Sequence, residues 1–275
     1  MELISDWKAS LELALEREPI TVRDLRIGVF YTAAELSTGH TGVAFTPREL
    51  ADTVCCPKSA AAAPHAGRLA GEQAWHLAAY AAAEAPLKRA VGVATLNALS
   101  ALAASRSGFP GGRLCPDLDA LDAAEIVGDD RVAMVGAFVP FIRRLRGNVA
   151  DLWIVDKHRE ALKSDEAGFW RPPERAAEAL SSASVAIISA SALVEGGLEA
   201  MLHAASRARR VVLAGPTAPL WTEPFFSCGV DVLAGIRVLA PERMLRIVSE
   251  GGSGYFFKDA SEKVSVVREK GSRNA

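Results

Sequence analysis

Three loops in the C-terminal half of the chain carry the residues best suited to binding a ligand. Each loop follows a short apolar run, and such runs are typical of strands that are covered on both faces. Parallel strands end at one sheet edge, where helix N-termini present free N–H groups, so we expect the three loops to converge. The residues that they contribute are Gly136, Phe138, Ser191, Glu195, Gly215 and Thr217.

Two carboxylates near these loops could transfer a proton or bind a metal ion. Asp156 ends the strand predicted for 151–156, and Glu195 lies in the second loop. The sequence does not identify a cofactor, and a divalent or heavy metal ion is the candidate. The histidines are scattered without metal-binding spacing, and neighbouring Cys55 and Cys56 are more typical of buried free thiols than of a soft-metal site.

A nucleotide cofactor is the alternative occupant of the first loop. Asp156 follows Gly136 at the offset at which an acid binds ribose in dinucleotide folds. The G-x-G-x-x-G pattern fails, however, because Phe138 and Phe141 replace glycines and Pro140 lacks an N–H. This loop is a poor phosphate cradle, and a strand-end cap is the simple structural role for Asp156.

The N-terminal half offers a second group of polar residues. Glu35 and His40 lie near the turn of a hairpin predicted from strands 22–31 and 42–46. Thr95 and Asn97 are placed at the beginning of an Ala-rich helix, and a buried Asn among small apolar residues needs hydrogen-bond partners. Helix capping or packing is the structural alternative for Asn97.

The composition is that of a packed globular protein. Half of the 275 residues are hydrophobic and the net charge is −2, with no basic stripe that would indicate nucleic-acid binding. No apolar run approaches the roughly 20 residues of a membrane span. The acidic, amphipathic segment 1–18 differs from a signal peptide, and the cysteine usage favours a reduced, cytoplasmic protein.

The order of elements predicts an α/β protein with two domains. An N-terminal helix over 3–17, the hairpin, a loop or short turn over 47–64, and Ala-rich helices over 68–84 and 86–105 form an α+β unit. A Gly/Pro-rich stretch at 106–117 marks the boundary, and a short helix follows it. Alternating strands and helices then predict a parallel sheet, with a loop over 165–173 and a last strand over 254–267. The predicted division is domain 1–110, domain 111–267 and a disordered tail 268–275.

The chain resembles the putative heavy-metal chelation family over most of its length, from about Leu25 to Gly251. Four blocks carry the resemblance, and the last is the most specific: GVATLNALS (92–100), VAMVGAFVPFIRRL (132–145), SASALVEGGLEAML (189–202) and VVLAGPTAPLWTEPFFSCGVDVLAG (211–235). The resemblance implies an N-terminal domain like that of enolases, with a three-stranded meander, and a Rossmann-like C-terminal domain. It also implies a site in the cleft between them that handles a heavy metal or a metal chelate.

Residues match the family's pattern individually at Thr95, Asn97, Gly136, Gly215 and Thr217. The stretch 191–197 departs from it, since Glu195 and Gly197 replace the amide and the hydroxyl residue that relatives often carry. If this turn contacts the ligand, the carboxylate should favour a more cationic or metal-bearing one.

The leading hypothesis is therefore a protein that binds a small molecule or metal chelate in the interdomain cleft. Its polar lining would include Glu35, Asn97, Asp156, Glu195 and Thr217, with Asp156 or Glu195 as the catalytic group if the protein is an enzyme. A transferase or oxidoreductase using S-adenosylmethionine or NAD is the first alternative. A non-enzymatic assembly protein, forming homo-oligomers through an apolar face, is the second.

Overall fold

The structure is a computed structural model that describes residues 3–47, 64–116 and 118–269. Its strands form a three-stranded antiparallel sheet near the N-terminus and an eight-stranded, mainly parallel sheet from the rest of the chain. This confirms the predicted α/β class. In the described residues, no helix is both long and apolar enough to cross a membrane.

The three-stranded sheet is a meander in the order β1–β2–β3. The residue pattern alone predicted only two strands here, because the middle strand has an Ala pair and no β-branched run apart from one Thr. The family resemblance implied the three-stranded meander that is observed. Ala33 and Ala34 are buried on opposite faces, against helices packed on both sides of the sheet, where small side chains allow a close approach. The strands are β1 (Val22–Ile27), β2 (Tyr31–Leu36) and β3 (Thr41–Phe45).

Three helices precede the eight-stranded sheet in the described chain: α1 (Leu3–Ala14), α2 (Ala74–Ala78) and α3 (Pro86–Ser107). The helix predicted for 68–84 is wrong, since α2 is short and a 3₁₀ turn, Ala79–Ala82, follows it. The backbone before α2 instead bonds β1, because Gly71 N donates to Val22 O over 2.8 Å. Thr95 and Asn97 lie in the middle of α3 and not at its beginning.

Glycine permits the close packing of α3 against the meander. A Cβ atom at Gly42 would lie 2.2 Å from the backbone nitrogen of Ala98, and one at Gly92 would lie 1.9 Å from that of Ala81. Neither position could hold a side chain without moving the helix or its neighbour. The sheet and α3 therefore meet backbone to backbone, which brings Asn97 next to β3.

The eight-stranded sheet has the order β4–β11–β10–β9–β8–β5–β6–β7, with β5 to β10 parallel and β11 antiparallel to both of its neighbours. Two edge strands were missed: β4 lies in the predicted boundary, and β7 lies in a predicted loop. Its strands are β4 (Gly112–Pro116), β5 (Arg131–Val135), β6 (Asp151–Val155), β7 (Trp170–Arg171), β8 (Val185–Ser189), β9 (Arg210–Ala214), β10 (Val232–Val238) and β11 (Ser261–Arg268).

Helices cover both faces of this sheet, as its apolar strands predict. The helix expected after the boundary is only one turn long, and the segment before β11 is a 3₁₀ turn, Gly254–Asp259, where the sequence predicted strand from residue 254. The helices are α4 (Ala120–Ala123), α5 (Val139–Leu145), α6 (Ala176–Ser182), α7 (Ala192–Glu195), α8 (Leu198–Ala204), α9 (Glu223–Ser227) and α10 (Pro241–Ser249).

One buried cluster joins elements of both halves of the chain. It runs from α1 through α3 to α7 and α9. Within it, the Trp7 and Phe225 rings pack edge to face with their centroids 5.2 Å apart. The division between residues 110 and 111 stays a prediction. Strand β11 includes Arg268, the first residue of the predicted tail, while 270–275, most of the predicted 47–64 loop, and Cys55 and Cys56 lie outside the described residues.

Candidate functional site

A cavity of about 630 Å³ lies between the meander, α3 and one edge of the eight-stranded sheet. Its walls are the β2–β3 turn, the C-terminal half of α3, the loop after β9, and the end of β10 with the residues that follow it. The volume is within the range of small-molecule sites. Most of the lining is apolar, and the polar side chains that it includes are Thr38, His40, Thr41, Asn97, Ser105 and Arg237.

Asn97 joins the cavity to both sheets through its amide nitrogen. Nδ2 donates to Val43 O over 2.8 Å, on the meander, and to Thr217 O over 2.9 Å, on the loop after β9. The Thr217 hydroxyl in turn accepts a hydrogen bond of 2.9 Å from Phe45 N. Two carbonyl oxygens face one end of the amide, so that end must be the NH₂ group, and Oδ1 must face away from them.

Two oxygen atoms at this cavity are buried without a hydrogen-bond partner among the described residues. They are Asn97 Oδ1 and Thr41 Oγ1, and both side chains line the cavity. Asn97 is 8% exposed and Thr41 is 5% exposed. A buried polar atom without a partner costs free energy, and such atoms are rare in native proteins unless water or a ligand satisfies them.

His40 lines the same cavity. The sequence placed it near the hairpin turn but assigned it no role. Its Nε2 is 3.1 Å from Ser105 Oγ, and its Nδ1 is 3.1 Å from Thr38 Oγ1. The Ser105 hydroxyl donates its proton to Leu102 O, so it accepts from His40 Nε2–H. Burial, and then the nearby Arg106 charge, lower the pKa of His40 against an opposing hydrogen bond with Thr38. The imidazole is therefore uncharged at neutral pH.

A second polar cluster lies at the ends of β5, β6 and β8. Ser191 Oγ donates to Glu195 Oε2 over 2.9 Å, and Lys157 Nζ donates to Glu195 Oε1 over 3.0 Å. Ser189 Oγ is 3.0 Å from Ser191 Oγ and extends this chain of hydrogen bonds. Glu195 is thus paired with a cation and a hydroxyl group.

Asp156 uses both carboxylate oxygens to cap the end of β6. Oδ2 accepts a hydrogen bond of 2.8 Å from Ala137 N, and Oδ1 accepts one of 2.8 Å from His158 N. The first of these bonds fixes the loop after β5, with Phe138 at its end and the short helix α5 beyond. Asp156 has the arrangement of a strand-end cap rather than that of an acid directed at a ribose.

The three predicted loops lie at one sheet edge, but their residues divide between two places. A Cβ atom at Gly136 would lie 2.9 Å from Ser189 Cβ, and one at Gly215 would lie 3.8 Å from the Phe138 ring. Asn97, and the residues on either side of Thr217, line the cavity. The residues that lie outside it, in or beside the second cluster, are Gly136, Phe138, Asp156, Ser191 and Glu195.

Two predicted residues lie apart from both places. Glu35 is buried on β2, directly across the strand pair from Thr41, and accepts a hydrogen bond of 3.0 Å from Arg23. Thr95 is buried within α3, where its hydroxyl donates to Val91 O over 2.8 Å. Glu35 thus lies next to a cavity residue without lining the cavity, and Thr95 is satisfied by its own helix.

The described residues do not form a metal centre. Among them, no group of three or more His, Cys, Asp and Glu side chains is placed to hold a metal ion. The cavity itself offers one imidazole, an amide oxygen and hydroxyl groups, which is too few anionic or thiolate donors for a divalent or soft ion.

Comparison with known proteins places this chain in a family. Two sequence profiles, each described as putative heavy-metal chelation, match residues 10–100 and 119–267. The second match spans more than half of the chain. The chain belongs to the putative heavy-metal chelation family, which confirms the resemblance seen in the sequence.

Relatives with solved structures share the fold. A protein of unknown function from Desulfitobacterium hafniense, of the same family, is 19% identical with a TM-score of 0.74 over 96% of this chain and 99% of its own. One from Pyrococcus horikoshii is 21% identical with a TM-score of 0.77 over the same shares. An uncharacterised protein of Methanocaldococcus jannaschii is 26% identical over 66% of each chain, just under two thirds.

Proposed function

We propose that this protein binds a small organic molecule, free or carrying a metal ion, in the cavity between the meander and the eight-stranded sheet. The observation that carries this proposal is the pair of unpartnered oxygens, Asn97 Oδ1 and Thr41 Oγ1, on side chains that line a cavity of about 630 Å³. The description of the family supports a metal as part of the cargo.

The position of the cavity supports a binding role that involves both halves of the chain. The lining combines the β2–β3 turn and α3 with the end of β10 and the loop after β9, so a bound molecule would contact all of them. Asn97 already bridges Val43 and Thr217 across the same junction. A ligand that donated a hydrogen bond to Asn97 Oδ1 would therefore also stabilise that junction.

A cavity-filling variant tests the proposal. Ala104 lines the cavity, and Ala104→Leu adds bulk there while keeping a good helix former on α3. Ser107→Leu adds a similar side chain at an exposed position on the same helix and serves as the matched control. A thermal-shift panel would compare both variants with the wild type, using zinc, nickel and copper salts, catechol, 8-hydroxyquinoline, citrate, and the metal–chelator mixtures.

We expect at least one chelator or chelate to raise the Tm of the wild type and of Ser107→Leu, and to leave Ala104→Leu unchanged, because a ligand stabilises only the protein that binds it. Equal stabilisation of all three proteins would place the binding elsewhere and overturn the proposal. S-adenosylmethionine and NAD belong in the same panel. Their binding to Ala104→Leu as tightly as to the wild type would support the nucleotide alternative instead.

A further inference from the structure

The charge of the cavity lining restricts the kind of molecule that it can hold. Within the described structure, Arg237 and His40 are its only ionisable lining residues, and it has no Asp, Glu, Cys or Met. Arg237 is ion-paired with Glu262, which lies outside the lining. Nothing in the lining offsets the lost hydration of a bare cation. An uncharged molecule does not meet that cost, and an anionic one can pair with Arg237.

The unpartnered oxygens restrict the polar groups of that molecule. Asn97 cannot turn its NH₂ group toward the cavity without losing its bonds to Val43 O and Thr217 O, so it presents an acceptor only. Thr41 Oγ1, on the same strand as Val43, is a hydroxyl that can either donate or accept a hydrogen bond. The Asn97 oxygen therefore requires an N–H or O–H group on the ligand, and Thr41 can pair with a donor or an acceptor.

Most of the remaining lining is apolar. Val43, Phe109, Leu220, Ile236 and Val238 contribute hydrocarbon surface around these polar atoms. Such a wall stabilises the apolar body of a ligand, at about 25 cal/mol for each Å² removed from water. A ligand that fits it has an apolar or aromatic body with a small polar end.

We infer that the cavity recognises an uncharged or anionic organic molecule with an apolar body and at least one N–H or O–H donor, which Asn97 Oδ1 accepts, with the Thr41 hydroxyl as a second hydrogen-bond partner. A metal ion enters this cavity only when such a molecule supplies its ligands. The inference rests on the proposed function, because it names the class of molecule that the same cavity binds.

A series of matched probes tests the donor requirement. Catechol, guaiacol and veratrole share one ring and lose one and then both hydroxyl donors to methyl groups. We expect calorimetry to show the largest loss of affinity, by about tenfold, at the step from guaiacol to veratrole, because veratrole has no donor left for the buried Asn97 oxygen. Ala104→Leu should abolish the binding of catechol, while Ser107→Leu should preserve it.

Thr41→Val separates the hydroxyl from the shape of the side chain. Because Thr41 Oγ1 has no partner among the described residues, the variant should fold with an unchanged or higher Tm. It should weaken the binding of catechol several-fold, and Thr41→Ser, which keeps the hydroxyl, should bind catechol like the wild type. Zinc chloride alone should not bind in the cavity, so any zinc binding by the wild type should be the same in Ala104→Leu.

The outcomes distinguish the inference from the proposed function. If veratrole binds as tightly as catechol, or zinc alone binds in a way that Ala104→Leu abolishes, the cavity is a binding site and the donor-bearing class is wrong. If none of the three aromatic probes binds there, this class is also wrong, and the broader chelator panel decides separately whether the cavity binds a ligand at all.

Discussion

Asn97 and Thr217 lie 120 residues apart in the chain and are joined by a hydrogen bond of 2.9 Å from the Asn97 amide to the Thr217 carbonyl. The side chain of Thr217 bonds back to Phe45 N on β3, and the other amide proton of Asn97 reaches Val43 O on the same strand. The two residues thus connect helix α3, the meander and the loop after β9 at one point. The cavity opens beside this connection.

The hydroxyl of Thr217 can be removed without disturbing its carbonyl. We expect Thr217→Val to lower the free energy of unfolding by about 1–2 kcal/mol, because Phe45 N–H loses its acceptor at a part-buried position. Urea denaturation measures the loss. Thr217→Ser retains the acceptor and should lose clearly less stability. A Thr217→Val variant that loses no more than Thr217→Ser would show that the hydrogen bond contributes no more than the methyl group does.

Asn97 allows an isosteric test of the same junction. Asn97→Asp places a carboxylate against the carbonyl oxygens of Val43 and Thr217, and we expect a loss of roughly 3 kcal/mol or more at pH 7. Asn97→Ala removes the amide without adding a charge and should lose less, despite its larger change in shape. Burial raises the pKa of the introduced carboxyl group, so the deficit of the Asp variant should shrink as the pH falls.

Denaturation of both Asn97 variants at several pH values checks this order. An Asp variant that is more stable than the Ala variant at pH 7 would contradict this expectation. It would show that a carboxylate against the two carbonyl groups costs less than the loss of the side chain.

The sequence predicted the central strands of the eight-stranded sheet, and it missed the two edge strands of that sheet and the middle strand of the meander. Strands β5, β8 and β9 are continuous apolar runs that end at Gly or Ser, and their pattern is unambiguous. The meander's middle strand owes its conformation to packing by helices on both faces, which its alanines do not reveal. Strands β4 and β7 are short pieces among Gly and Pro, ordered by pairing with β11 and β6.

The candidate site was predictable only in part, because charge pairing is not visible in a sequence. Asn97 was correctly expected to need partners, since it is a lone amide among small apolar residues. Glu35 and Glu195 were chosen for their carboxylates, yet each is already bonded to a cation, Arg23 and Lys157, that lies 12 and 38 residues away in the chain. Only the fold shows which carboxylates remain available to a ligand.

Glu195 therefore gives a direct test of its predicted role in binding a cationic or metal-bearing ligand. Its carboxylate is shared between Ser191 and Lys157 on a partly exposed surface, so we expect Glu195→Gln to change stability by less than about 0.5 kcal/mol. The stabilisation of the protein by zinc or by a zinc chelate should also be unchanged, as measured by thermal shift. A loss of that stabilisation in Glu195→Gln would instead show that this carboxylate contacts the ligand.

Asp130, away from the cavity, should give the stability of this protein a distinct dependence on pH. Burial raises the pKa of Asp130, but hydrogen bonds from Arg209, Val127 N and Ser184 outweigh it and hold the pKa below the ordinary value of 3.8. The folded protein therefore protonates this group at a lower pH than the unfolded chain does. Its contribution is complete above about pH 3.8 and is lost as the pH falls through the folded pKa.

Comparison with Asp130→Asn isolates this contribution from those of other carboxylates. At pH 7 we expect the variant to be less stable by about 2 kcal/mol, the usual value for hydrogen bonds to a buried charge. The difference between the two proteins should stay constant down to about pH 3.8 and shrink below it. A difference that does not change between pH 7 and the acid transition would mean that the charge of Asp130 contributes nothing and that the network acts through its shape alone.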